Sequence, residues 1–230
     1  MIEVLYEDNH IIAVNKKVSD IVQGDKTGDR PLPEYVKDYI KKKYNKPGEV
    51  FLGVVHRLDR PVSGVILFAR TSKALIRLNE MFREKKVQKT YWAIVKNKPQ
   101  NTKDNLVHYL LKNQAKNKSQ AFNIEGNYAL RSELSYELIH SLDNYHLLEV
   151  SPKTGRHHQI RVQLAKIGCP IKGDIKYGYE RTNKDKSIHL HARKIDFIHP
   201  VKKEPISIIA PTPNDVLWKS YKTIEGRHLL

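Results

Sequence analysis

An α+β fold is predicted for this 230-residue chain by three observations. Segments with strand alternation take turns with segments of helical spacing, and neither kind forms one long block. No internal repeat, low-complexity tract or linker rich in Pro, Gly or Ser interrupts them, which points to a single domain over residues 1–230. Hydrophobic residues make up 40% of a chain long enough to bury a full core without staples.

The elements follow in order. Glu3–Leu5 and Ile11–Asn15 read as two short strands around a turn at Asp8-Asn9. Pro33–Lys43 reads as a helix, because Tyr35, Val36, Tyr39 and Ile40 share one face. Val50–Val55 and Gly64–Ala69 are apolar, strand-like runs, and the polar segment between them is a loop. Ser72 is placed to cap a helix over Lys73–Lys85, whose stripe is Leu75, Leu78 and Phe82. Thr90–Val95 reads as a strand. Leu134, Tyr136 and Leu138 alternate with polar neighbours in another, which pairs with Tyr145–Val150 across a turn at Asp143-Asn144. Thr154 is placed to cap a helix carrying Ile160, Leu164 and Ile167, and Gly168 offers its stop. Strands at Ile188–Phe197 and Ile206–Ala210 complete the pattern.

Composition narrows the function. There are 41 Lys and Arg against 25 Asp and Glu, a formal net charge of +16. Such a surface suits a polyanion, nucleic acid first; the bland alternative is a well-solvated basic face. The excess is concentrated. Between Arg83 and Lys118 ten basic residues stand against two acids. The early acids Glu3, Glu7 and Asp8 and the short run Ile11–Val14 exclude a signal peptide, and no apolar stretch approaches the length of a membrane span. The single cysteine, Cys169, excludes an internal disulfide framework. The expectation is a soluble cytoplasmic protein. No long apolar seam is left unassigned, so a monomer without a required protein partner is expected.

Three segments carry chemistry. In His56-Arg57-Leu58-Asp59-Arg60-Pro61-Val62-Ser63-Gly64 an acid sits among two arginines and a histidine, in a loop between apolar strands. Catalytic groups concentrate in such loops, although a surface salt bridge would look the same locally. In Thr154-Gly155-Arg156-His157-His158-Gln159-Ile160-Arg161, Arg161 lies three and four residues from the two histidines on a helix edge, where it is able to reach a buried carboxylate. The third segment is Lys89-Thr90-Tyr91, with Tyr91 at the start of a strand.

Together these segments resemble the RluA-type family of RNA pseudouridine synthases. The H-R-L-D loop followed by S-G is the most specific mark, and the T-G-R-x-H-Q-I-R segment is nearly as specific. Between and after them come K-x-Y, Pro170-Ile171-Lys172-Gly173-Asp174, Tyr177-Gly178, Leu190-His191-Ala192 and His199-Pro200 in order. The resemblance runs from Asn15-Lys16 to Ala210-Pro211. It implies the catalytic fold of that family, a mixed and mostly antiparallel sheet flanked by helices and loops. It implies transfer RNA or ribosomal RNA as partner. Many relatives carry an N-terminal S4 RNA-binding module; here the catalytic pattern starts within the first residues, so a member without S4 is expected.

Roles carried over by this resemblance are specific. Asp59 matches the catalytic aspartate, the nucleophile in most proposals. Tyr91 matches the tyrosine that packs on the target base. Arg161 matches the arginine that pairs with the aspartate. Arg57 matches the arginine that takes the flipped base's place, and Arg156 is assigned to phosphate. Arg60, Lys89, Lys112, Lys116 and Lys118 are further RNA-binding candidates, the last three in a lysine-rich insert around Pro99–Lys118. The physics agrees: a stacked uracil hides its glycosidic bond and must be extruded against an apolar or aromatic wall. A carboxylate must be ionised to attack, and a guanidinium about 4 Å away favours the ionised form by roughly 4 kcal/mol before desolvation, at an effective dielectric near 20. The reaction exchanges an N1–C1′ bond for a C5–C1′ bond, so no cofactor is needed, and no Gly-rich phosphate loop is present. One cysteine and no carboxylate–histidine spacing leave no expected metal site, although His157-His158 and the pair His189 and His191 invite one.

The chain departs from the family pattern at Lys17, Val62, His157, Gln163 and Cys169, where proline, threonine, threonine or serine, and twice histidine are usual. None of these is Asp59, Tyr91 or Arg161. A non-catalytic RNA-binding or RNA-folding protein on the same scaffold is the competing reading; binding alone needs no such triplet. A basic structural protein of the ribosome fits a well-patterned core poorly.

Overall fold

The computed structural model describes residues 2–24, 27–126 and 128–221. They group into two compact units. The first runs to Lys89 and takes in Ala192–Pro211; the second holds Thr90–His191 and Thr212–Tyr221. The chain passes between them within strands β5 (Gln88–Val95) and β10 (Leu190–Ile198).

In the first unit, β1 (Val4–Glu7) pairs antiparallel with β2 (Ile11–Lys16), and β2 with β4 (Ser63–Ala69). Strand β10 lies beside β4, and β11 (Pro205–Ile209) closes on β10. The apolar run Val50–Val55 yields only a two-residue strand, β3 (Gly53–Val54), on the far end of β4. All seven residues of β4 are buried, which is why its sequence is a continuous apolar run rather than an alternation. Gly64, at φ 117°, makes this possible: a Cβ there would sit 2.3 Å from the carbonyl oxygen of Ala192. The S-G pair after the H-R-L-D loop is thus a requirement of strand packing.

Helix α1 (Leu32–Lys43) starts on Pro31 and Pro33 and ends on Lys41–Lys43, in keeping with its dipole. Helix α2 spans Ser72–Arg83, and its N-cap is Thr71 rather than Ser72. Thr71 is the extended residue, and its hydroxyl accepts from the Ala74 N–H at 3.2 Å; Ser72 is already helical.

The second unit is an antiparallel sheet in the order β5, β9 (His146–Pro152), β8 (Leu130–Ser141), β6 (Lys103–Asn113) and β7 (Lys118–Phe122). The lysine-rich segment expected as an insert is therefore strand β6 and the tip of its hairpin with β7. Helix α3 is shorter than expected, Gln159–Lys166, and all its residues from Gln159 to Leu164 are buried. Thr154 does not cap it. His158 is left-handed (φ 54°) and breaks the helical run, and the Gln159 side chain turns back to accept from the Arg156 N–H at 3.0 Å. Thr154 instead ties its loop to β8, accepting from the Glu133 N–H at 2.9 Å. Gly168 is the stop: at φ 78° it lets its own N–H reach the Ala165 carbonyl and that of Cys169 reach Leu164. Trp92, Ile94, Leu147, Trp218 and Tyr221 form an apolar cluster on this unit, with Trp218 supplied by α4 (Val216–Lys219). Each such side chain contributes about 1.5–3 kcal/mol by leaving water. Among the described residues, no helix is long and apolar enough to cross a membrane.

Candidate active site

Asp59 stands partly exposed at the head of a turn in which its carbonyl accepts from the Val62 N–H at 3.0 Å. Apolar neighbours on both sides, Leu58 and Val62, are buried and anchor the turn. Val62, where the family pattern has threonine, is therefore a core contact. Both arginines flanking Asp59 have partners in the same unit. Arg57 is exposed and donates to the Gln23 side chain. Arg60 pairs with Asp29 at 2.6 Å and donates to Thr27 at 2.7 Å.

The residue that fixes this turn was not among the predicted site residues. Lys16, the last residue of β2, is fully buried. Its ammonium donates to three carbonyls, Val62 at 2.6 Å, Lys17 at 3.0 Å and Arg60 at 3.2 Å. Two of these, those of Arg60 and Val62, belong to the turn that Asp59 opens. Burial pulls the Lys16 pKa down to about 8, against the opposing pull of Asp20 and Asp59. A buried ammonium with every proton on a backbone oxygen is a clamp. The signal available in sequence was a lysine ending an apolar strand, a position where a polar side chain needs a reason to be inside.

Behind the loop, His56 accepts the Leu67 N–H on Nε2 at 3.0 Å and stacks on Phe82 with centroids 5.0 Å apart. Burial, with Lys89 adding to it, depresses its pKa to about 3, so the ring is neutral. Lys89 is itself lowered by burial, an unusual state for a phosphate-binding lysine.

In the second unit, Tyr91 is half-buried at the first paired position of β5 against Val150. Arg161 is 5% exposed and does reach a buried carboxylate, that of Asp174. Its Nε and Nη2 donate to the two oxygens at 2.7 and 2.9 Å, a bidentate fork. Asp174 belongs to the P-I-x-G-D motif, and its role as this arginine's partner was not foreseen. Tyr177 completes the group. Its ring lies 5.1 Å from the Arg161 guanidinium carbon and 5.4 Å from Lys118 Nζ. Its hydroxyl accepts the Ser119 N–H at 2.8 Å and bonds His158 Nδ1 at 2.9 Å. His157 bonds the Ser119 hydroxyl at 2.9 Å and Asn117 at 3.0 Å. The tip of the β6–β7 hairpin is thereby latched to the start of α3. His157 and His158 precede the helix and stack at 3.7 Å, so they do not share a helical edge with Arg161. Gln163, another departure from the family pattern, is fully buried and donates to the Leu106 and Ser132 carbonyls at 3.3 Å, pinning α3 to β6 and β8.

Lys112, Lys116 and Lys118 are all exposed at the hairpin end, as is Arg156 before α3. The histidines that invited a metal have other partners: His189 and His191 both pack on Trp218, at 5.5 and 5.9 Å. Among the described residues no group of three His, Cys, Asp or Glu side chains is placed to hold a metal ion.

The α+β architecture and the motif order define an RNA-modifying isomerase, and comparison with known proteins gives the family. Residues 10–166 match the RNA pseudouridylate synthase family. Over 227 residues the chain is 35% identical to ribosomal large subunit pseudouridine synthase C of Buchnera aphidicola subsp. Schizaphis graminum, covering 95% of this chain and 69% of that one. It is 35% identical over 214 residues to the protein of the same name from Vibrio vulnificus, covering 90% and 65%. In fold it is similar to human RNA pseudouridylate synthase domain containing 4, with a TM-score of 0.79 and 22% identity over 95% of this chain and 92% of that one. The chain belongs to the RluA-type RNA pseudouridine synthase family.

Proposed function

We propose that this chain converts uridines of ribosomal RNA to pseudouridine, with Asp59 as the nucleophile. The observation that carries the assignment of Asp59 is the Lys16 clamp, which spends a buried ammonium on holding the carbonyls of the turn around that one carboxylate. Ribosomal rather than transfer RNA is favoured by the relatives, which are named for the large ribosomal subunit. In this reading the carboxylate attacks C1′ and displaces N1, the uracil turns, C5 bonds to C1′ and displaces the carboxylate in turn, the proton on C5 passes to water, and N1 takes up a proton from water. Tyr91 supplies the aromatic face for the extruded base. Arg161, which Asp174 holds, keeps the role the family pattern gives it, while Arg57 and the lysines of the hairpin tip engage the RNA. A net charge of +16 supports such a partner.

Loss of the C5 proton gives the test. Ribosomal and transfer RNA labelled with 5-tritiated uridine are each incubated with the wild-type protein and with Asp59→Asn. Tritium release from ribosomal RNA alone, abolished in the variant, is expected. Release from transfer RNA alone would move the substrate assignment. Release undiminished in Asp59→Asn would remove that residue from the chemistry.

A further inference from the structure

Beside the catalytic turn, within the first unit, lies a cleft of about 480 Å³ lined by Val22, Gln23, Val54, Val55, His56 and Arg57. Its size falls in the range of small-ligand sites, about 300–1,000 Å³. We propose that this cleft is a subsite for a second nucleobase of the substrate RNA, one flanking the target uridine; the proposal rests on the reading of the chain as an enzyme acting through Asp59.

The lining suits a base better than a sugar, a phosphate or a peptide side chain. Three β-branched valines make apolar walls, and among the described residues no carboxylate lines the space. The polar groups are few and directional, as recognition of a base edge requires. His56 is one of them. The Leu67 N–H donates to its Nε2, which fixes the tautomer with the proton on Nδ1. No group among the described residues takes that proton, so the ring offers a fixed donor to a carbonyl or ring nitrogen of the occupant. The ring cannot drift from this position, because it is stacked on Phe82 at an interplanar angle of 25°. Its depressed pKa keeps it a neutral reader of base edges throughout the physiological range. Gln23 is exposed and adds a carboxamide, able to donate and accept at once. It also holds the Arg57 guanidinium, so an entering base that engages Gln23 would release Arg57 toward the RNA. Arg57 lies two residues from Asp59 in the same loop, so an RNA strand delivering a base to the carboxylate passes the cleft. Its guanidinium supplies the positive rim for the phosphate between the two nucleotides.

The experiment uses two variants of the full chain. Val54→Trp fills the cleft from a residue that is 40% exposed and so disturbs no core. Gln23→Ala removes the exposed carboxamide and serves if the larger change impairs folding. Both are assayed by tritium release from ribosomal RNA transcribed with 5-tritiated UTP. KM is expected to rise about tenfold, the loss expected when one base contact is removed, with kcat within about twofold of wild type. Unchanged KM in a folded Gln23→Ala and Val54→Trp overturns the proposal. The Asp59→Asn protein is also irradiated with ultraviolet light on the same RNA and digested. Base adducts are expected on the peptides around Val22-Gln23 and Val54–Arg57, and their absence there also overturns it. Adducts at the cleft without tritium release from the wild type would instead refute the catalytic reading, and with it the flanking-base role, leaving only a base-binding cleft.

Discussion

Replacing Lys16 with methionine tests the clamp on the Asp59 turn directly. The side chain is fully buried, and methionine keeps its length and apolar stem while removing the three protons. Each bond from a charged donor is worth about 1.5–3 kcal/mol, and its loss leaves a carbonyl without its partner. Against this, burial lowers the lysine from 10.5 to about 8, a penalty on the charged form of roughly 3 kcal/mol that methionine does not bear. The net expectation at pH 7 is a loss of about 2–6 kcal/mol. The sign of the pH dependence follows from the same depression. Below about pH 8 the lysine is protonated in both folded and unfolded chains, and its contribution to stability does not change with pH. Between about 8 and 10.5 the unfolded chain binds the extra proton, so the wild type gains stability relative to the variant as pH rises. Urea unfolding of both proteins at pH 7, 8, 9 and 10 measures the difference. The same substitution frees the turn, and kcat is expected to fall by about 100-fold, the order of loss for a catalytic group displaced by an ångström. A methionine variant as stable as wild type at pH 7, with a difference that stays flat to pH 10, would refute the clamp.

Two further perturbations address the second unit. Asp174→Asn removes the buried carboxylate that takes two bonds from the Arg161 guanidinium, and a loss of about 3–5 kcal/mol in denaturant unfolding is expected; a loss under about 1 kcal/mol would show that the pair is not what holds the arginine. Replacing Lys112, Lys116 and Lys118 together with glutamate is expected to weaken RNA binding and to lower the slope of log affinity against log salt by about 2–3, at roughly 0.7–0.9 per phosphate contact. An unchanged slope in a filter-binding titration would take the hairpin tip out of the RNA interface.

Much of the framework was legible because periodicity and chain punctuation are local. Continuous apolar runs mark β2 and β4, a two-residue repeat marks β8, and Gly168 marks the end of α3. Where local signals tied, the outcome depended on conformation. Thr71 and Ser72 are equally good caps by type, and the residue with extended backbone takes the role. The polar hairpin strand β6 escaped notice because its burial alternates only over Leu106, His108 and Leu110, with a histidine in the middle. His158 ends the helical run by a left-handed conformation that no residue type other than glycine announces.

The candidate catalytic residues are nameable from the sequence alone: Asp59, Tyr91 and Arg161 match motifs of the family it resembles, and the chain carries those motifs without folding. What holds those residues was decided by tertiary structure. Lys16 meets the Arg60 carbonyl across 44 residues, Asp174 meets Arg161 across 13, and Tyr177 meets Ser119 across 58. Each of these contacts exists because strand pairing and burial bring distant backbone together and then demand a partner for every polar group taken from water. That demand is set by the packed chain, and no window of sequence contains it.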